Sequence, residues 1–394
     1  MRKKILIASY DLEIGGVERS LISMLNNFDY ERYDVELLLY NHSGEFMPLI
    51  LKDVKLLPEN TKYKSIRLGI GTLIKAGEYN LAFQRLRAKY GYEYRRDKSL
   101  DDTYQMQLMW KYCNPYFPMV EEEYDIAISY LWPHDFVAEK VRAKKKIAWI
   151  HTDYSNISPD RNIDLKIWDK FDSIVGVSEK CVETFLKLYP SLREKCVVVE
   201  NITSPEFIRK MSEEQVSEEF EKDKFNLLTV ARFSHAKGID QGVEAIRLLR
   251  DRGINNIKWY IVGYGGDENK IRELITRYSL ENMIEILGKR DNPYPYMKMC
   301  DLYMQPSRYE GKAVTVVEAQ ILAKPILITN YPTAHSQVVG EVDGEICELS
   351  IEGIANGIEK FYRDRELLER YRSNCEDRNY ENKEELKKLY KVFE

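Results

Sequence analysis

"FNLLTVARFSHAKGIDQGVEAIRLLRDRG", residues 225–253, contains the change of pattern that decides the fold. Its first seven residues form an apolar, partly β-branched run, as a strand buried on both faces requires. The period then changes. Gly242, Ala245, Ile246 and Leu249 recur at i, i+3, i+4 and i+7, and Gly253 marks the end of a helix. Between strand and helix lies a loop with Arg232 and Lys237, and the loops that follow strands are where an open parallel sheet meets its ligands.

The same alternation continues in both directions. "KKILIASY", "DVELLLY", "YDIAISY", "KKIAWIH", "DSIVGVS" and "CVVVEN" precede this stretch, and "KWYIVG", "IEILG", "DLYMQPS" and "PILITN" follow it. Strand-like runs separated by helical patterns predict an α/β protein, and 394 residues suffice for two Rossmann-like, doubly wound parallel-sheet domains facing an interdomain cleft. The expected division is an N-terminal domain over 1–203, a linker over the acidic stretch 204–223 and a C-terminal domain over 224–375. An amphipathic helix within 376–394 has a docking site that the sequence does not specify.

A net charge of −5 gives no global reason to expect nucleic acid. Six cysteines without a C-x-x-C pair suit a reducing cytosol, and no apolar run is long enough for a membrane span. The expected location is cytoplasmic, at the inner face of the membrane. Neither G-x-G-x-x-G nor G-x-x-x-x-G-K-[ST] occurs, which argues against a dinucleotide oxidoreductase and a P-loop enzyme. His42, His134, His151, His235 and His335 show no ligand spacing, so no metal site is expected.

Arg232 and Lys237, just before a helix start, can hold a diphosphate, although such a pair alone is more often simply solvated. "EGKAVT", 310–315, opens another helix. There Gly311 permits close backbone approach, Lys312 adds a third cation, and the amides of Lys312, Ala313, Val314 and Thr315 can meet phosphate or sugar oxygens. Within the apolar stretch 313–323, Glu318 is a lone carboxylate that needs a partner, and Glu310 stands eight positions before it. His151 ends the strand "KKIAWI", in a position to bond a ligand or move a proton. A glycosidase pair would leave Arg232 and Lys237 without a role, whereas a phosphate-bearing donor uses all four groups.

The ordered set "GGVE", "HTDY", "VGVSE", "VARFSHAKG", "IVGYGG", "PSRYEGKAVTVVEAQ" and "GEICEL" resembles the retaining glycosyltransferases of family four, which have the GT-B fold. The resemblance implies transfer of a hexose or N-acetylhexosamine from a nucleotide sugar, commonly UDP-linked, with no cofactor or essential metal. The acceptor it implies is a glycan or lipid-linked oligosaccharide in surface or capsular polysaccharide synthesis. By motif, Arg232 and Lys237 would neutralise the diphosphate, Glu318 would bind the ribose, and Glu310 with the amides after it would address the sugar. Gly16 would admit the phosphates, and His151 would stand near the reacting centre. The chain departs from the family in having E-G-K-A-V-T where many members have E-G-F-G-L-P, which weakens the transfer at Lys312 and Ala313. "NYPTAHSQ", 330–337, replaces a glycine-rich loop. Two other readings stay open: a non-catalytic GT-B partner subunit, and a sugar-nucleotide epimerase or phosphorylase.

Residues 62–98 carry ten Lys or Arg against three acids, interleaved with aromatic residues. Such a segment suits peripheral contact with anionic lipid, or an ordinary solvated helix.

Overall fold

The structure, a computed structural model, describes residues 2–394 apart from 14, 96, 311 and 312. It divides into two compact units, one running to Thr203 and taking up Asn382–Glu394, the other Ser204–Glu381.

The first unit holds seven strands: β1 (Lys3–Ser9), β2 (Tyr33–Leu39), β3 (Val54–Leu56), β4 (Glu123–Ser129), β5 (Arg142–Ile150), β6 (Ser173–Gly176) and β7 (Cys196–Val198). They pair in parallel in the order β3-β2-β1-β4-β5-β6-β7, so strand order reverses between β1 and β4. Ile5, Leu6 and Ile7 of β1 are fully buried, as an apolar strand covered on both faces must be.

The second unit repeats the plan with β8 (Phe225–Val230), β9 (Ile257–Val262), β10 (Ile284–Gly288), β11 (Leu302–Gln305), β12 (Ile326–Thr329) and β13 (Gly344–Cys347). Their order is β10-β9-β8-β11-β12-β13, and the reversal falls between β8 and β11. Helix Ile239–Asp251 buries Gly242, Ala245, Ile246 and Leu249 against this sheet. Gly242 is needed there, because a Cβ would sit 2.5 Å from the Trp259 ring.

The stretch 204–223, expected as a linker, is packed into the second unit. Ser204 caps helix Pro205–Met211, and Asn292 donates from Nδ2 to the Met211 carbonyl at 2.7 Å. Phe220 stacks on Tyr260 with ring centroids 3.7 Å apart, while Glu218 binds Arg290 and the Tyr296 hydroxyl. Apolar anchors scattered among the acids fix this segment.

The C-terminal helix Glu384–Val392 docks on the first unit, to which the chain returns. Tyr390 and Phe393 pack on Tyr33 at 5.1 and 5.4 Å, and the Asp29 amide donates to the Tyr390 hydroxyl at 2.8 Å. Asn382 ties the return, accepting from the Thr203 amide and donating to the Asn201 carbonyl. No helix among the described residues is long and apolar enough to cross a membrane.

Candidate donor site

Topology places the site. In a doubly wound sheet the loops on either side of the strand-order reversal diverge and leave a crevice, and in the second unit those loops follow β8 and β11. They are closely joined. Arg308 and Tyr309 donate their amides to the Ala236 carbonyl at 2.8 and 3.2 Å, and Gly238 has φ +62°. A Cβ at Gly238 would fall 1.9 Å from the Pro306 carbonyl oxygen, so only glycine lets the loops close. Asp240 locks the same junction by accepting from Arg308 and Lys270 at 2.7 and 3.0 Å. Burial pushes the Asp240 carboxyl up, but the hydrogen bonds from the two cations outweigh it and hold the group at about 2.

Lys237 and Glu310 meet across this junction. The ammonium donates to both carboxylate oxygens at 2.7 Å, and Glu310, which is buried, also accepts from Ser307 Oγ at 2.6 Å and Gln305 Nε2 at 3.0 Å. Sequence motifs gave the two residues separate ligand groups, whereas the fold makes them one bonded pair. Arg232 is different. It is exposed at the end of β8, and no hydrogen bond or ion pair holds its guanidinium among the described residues.

Glu318 lies on helix Val314–Ile321 and is 2% exposed. The Tyr294 hydroxyl donates to Glu318 Oε1 at 2.7 Å. The lone carboxylate therefore has a protein partner, one that no motif in the sequence marked. Ala313 is buried just ahead of that helix, while Val314 is exposed and Thr315 half-buried in its first turn. Gly311 and Lys312 lie outside the described residues.

Gly16 and His151 belong to the first unit. Gly16 begins helix Gly16–Asn26, and a Cβ there would meet nothing within 4 Å, so packing does not require glycine at this position. His151 follows β5 with its ring 4.8 Å from Tyr130 and stacked at 6.3 Å on Trp149. Its Nε2 is buried without a protein hydrogen-bond partner among the described residues. Burial pulls the imidazole down to about 3 against a hydrogen bond to the Tyr130 backbone, so His151 is neutral near pH 7 and suits hydrogen bonding better than acid catalysis. His134, 2.7 Å from Ser129 Oγ, is likewise pulled to about 3 by burial.

The sign of the pH effect follows. An unfolded histidine takes up its proton near pH 6.5, whereas folded His151 resists until about 3, so its contribution is complete above 6.5 and is lost as pH falls towards 3. Asp135, raised to about 7 by burial beside Asp164, works in the opposite direction, and only a difference measurement isolates the histidine. Urea unfolding of the protein and of His151→Gln should show a stability difference that declines by at most about 1.4 kcal/mol per pH unit below 6.5. A difference independent of pH would refute the neutral, buried imidazole.

Residues 210–378 match the family model described as "Glycosyl transferases group 1". The capsular polysaccharide biosynthesis glycosyltransferase CapM of Staphylococcus aureus is 29% identical over 180 residues, covering 43% of this chain and 47% of that protein. The Campylobacter jejuni N-acetylgalactosamine-N,N'-diacetylbacillosaminyl-diphospho-undecaprenol 4-alpha-N-acetylgalactosaminyltransferase is 24% identical over 214 residues, 54% of this chain and 56% of that protein. The matched stretches thus span about half the length of these curated relatives. Among solved structures, a variant of TarM from S. aureus in complex with Fondaparinux, alpha-GlcNAc-glycerol and UDP superposes with a TM-score of 0.66 at 14% identity, over 99% of both chains. Residues 210–378 therefore match the glycosyl transferases group 1 model, within a chain whose two parallel-sheet units have the GT-B fold.

Proposed function

We propose that this protein is a retaining glycosyltransferase that moves a hexose or N-acetylhexosamine from a UDP-sugar to a glycan or lipid-linked oligosaccharide in surface or capsular polysaccharide synthesis. The observation that carries the reading is the set of loops at the strand-order reversal, which hold both the Lys237–Glu310 pair and an Arg232 that has no partner among the described residues. The names of the similar proteins, a capsular transferase and a diphospho-undecaprenol transferase, support the acceptor class, and the UDP bound to TarM supports the donor.

In this reading the leaving diphosphate gains negative charge as the glycosidic bond breaks, and Arg232 and Lys237 stabilise it without a metal. Glu310, fixed by Ser307 and Gln305, accepts hydrogen bonds from the transferred sugar. The buried Glu318 addresses the ribose, with the amides of Ala313, Val314 and Thr315 near the phosphates. The motif resemblance adds two residues of the first unit, Gly16 for the phosphates and the neutral His151 for the sugar.

Incubation with UDP- and GDP-sugars, with and without lipid-linked oligosaccharide, tests the assignment. Nucleotide release that requires the acceptor, with a product of unchanged anomeric configuration, is the expected result. Isomerisation without acceptor would make the protein an epimerase, and absence of nucleotide-sugar binding would make it a partner subunit.

A further inference from the structure

Residues 62–98 do not form one amphipathic helix. They fold as a short turn of helix, Tyr63–Ile66, then helices Ile70–Lys75 and Tyr79–Glu93, and the last has two apolar faces. Leu81, Ala82 and Ala88 face inward and are buried. On the other side Tyr79, Phe83, Tyr90 and Tyr94 are 67, 63, 56 and 79% exposed. At i, i+4, i+11 and i+15 these rings fall within about 60° of one another around the helix, and Tyr90 and Tyr94 stack at 6.3 Å. Ile74, on the preceding helix, is 47% exposed.

A row of large exposed rings is unusual on a soluble surface and marks a contact face. Its charge identifies the contact. Arg87, which lies 4.1 Å over the Tyr112 ring, and Lys89, which is 3.8 Å from the exposed Glu93 carboxylate, flank the row on opposite sides, and Lys75 is exposed on the neighbouring helix. Lys64 and Arg67 are paired with Glu59 and Asp11, but Lys62, Lys75 and Arg87 have no carboxylate partner among the described residues. In a chain of net charge −5 this is a local cationic strip with aromatic rings along its centre. Two copies meeting through it would bring like charges together, whereas phospholipid headgroups supply both negative charge and an interface in which tyrosine rings are stable.

We propose that the outer face of helix Tyr79–Glu93 docks on an anionic phospholipid surface. Phe83, Tyr90 and Tyr94 enter the headgroup region, and Lys75, Arg87 and Lys89 meet lipid phosphates. The inference does not depend on the transfer reaction, and its test uses no sugar substrate.

Co-sedimentation of the full chain with phosphatidylcholine vesicles, with and without phosphatidylglycerol, is the measurement. Binding should require phosphatidylglycerol, weaken with added salt, and fall at least about tenfold in the combined variant Phe83→Ser, Tyr90→Ser, Tyr94→Ser, whose thermal transition should be unchanged. If that variant fails to fold, Lys75→Glu with Lys89→Glu reads the same contact. Absence of vesicle binding, equal binding to neutral vesicles, or binding that neither variant weakens would overturn the proposal. So would a lipid-independent dimer in light scattering that the ring substitutions dissolve.

Discussion

Arg232→Ala should lower turnover by about two to three orders of magnitude while leaving the unfolding free energy within about 0.5 kcal/mol of the parent. Both halves come from one observation. Because the guanidinium is exposed and holds no partner among the described residues, its removal deprives the fold of little. In the reaction proposed here, the same guanidinium faces charge that appears as the glycosidic bond breaks, and a lost donor of that kind costs about 2.7–4 kcal/mol of transition-state stabilisation. Arg232→Lys should recover part of the activity, since an ammonium restores charge but lacks the planar fork that binds two phosphate oxygens together. Steady-state turnover and urea unfolding of the three proteins decide the matter. A folded alanine variant with near-normal turnover would remove Arg232 from the mechanism.

The fold was readable because its signal is local. A strand such as "FNLLTV" is apolar throughout when a sheet is covered on both faces, and helix Ile239–Asp251 shows its buried stripe directly in the sequence. β3, Val54–Leu56, was not marked, since three residues at a sheet edge show no period. Site residues separate along the same line. The position of Arg232, Lys237 and Glu310 on loops after strands is legible in short motifs, and the fold puts those loops at the strand-order reversal. Their pairing could not, because the contact of Lys237 with Glu310 depends on how two loops meet over Gly238. The Tyr294–Glu318 contact is hidden for a similar reason: Tyr294 lies in the proline-broken "NPYPYM", 24 positions before Glu318, where nothing in the pattern indicates a partner. The apolar anchors of 204–223 were masked by their acidic surroundings. The aromatic face of Tyr79–Glu93 was obscured because apolar residues on two sides of a helix cancel the one-sided pattern of an amphipathic helix.

Lys237→Ala should differ from Arg232→Ala in kind, because it damages the fold as well as the reaction. Removing the ammonium leaves Glu310 charged and buried, with Ser307 Oγ and Gln305 Nε2 still donating to one oxygen and the other oxygen deprived of its partner. A broken buried ion pair costs about 3–5 kcal/mol. Lys237 is 27% exposed, so solvent would compensate part of this, and about 1–3 kcal/mol is the expected loss in urea unfolding. Adding Glu310→Gln removes the stranded charge, and the double variant should regain most of that stability. Turnover should behave in the opposite way. Neither the amide nor the missing cation can restore what the donor complex needs, so the double variant should be at least as slow as Lys237→Ala, about a hundredfold or more below the parent. A thermodynamic cycle over the four proteins separates the two roles: coupling in stability of about 1–3 kcal/mol together with no rescue of turnover describes a pair that the fold holds together and the reaction uses. Additive stability effects would mean that the 2.7 Å contacts contribute little to the fold, and recovery of turnover in the double variant would mean that the pair's role is structural alone.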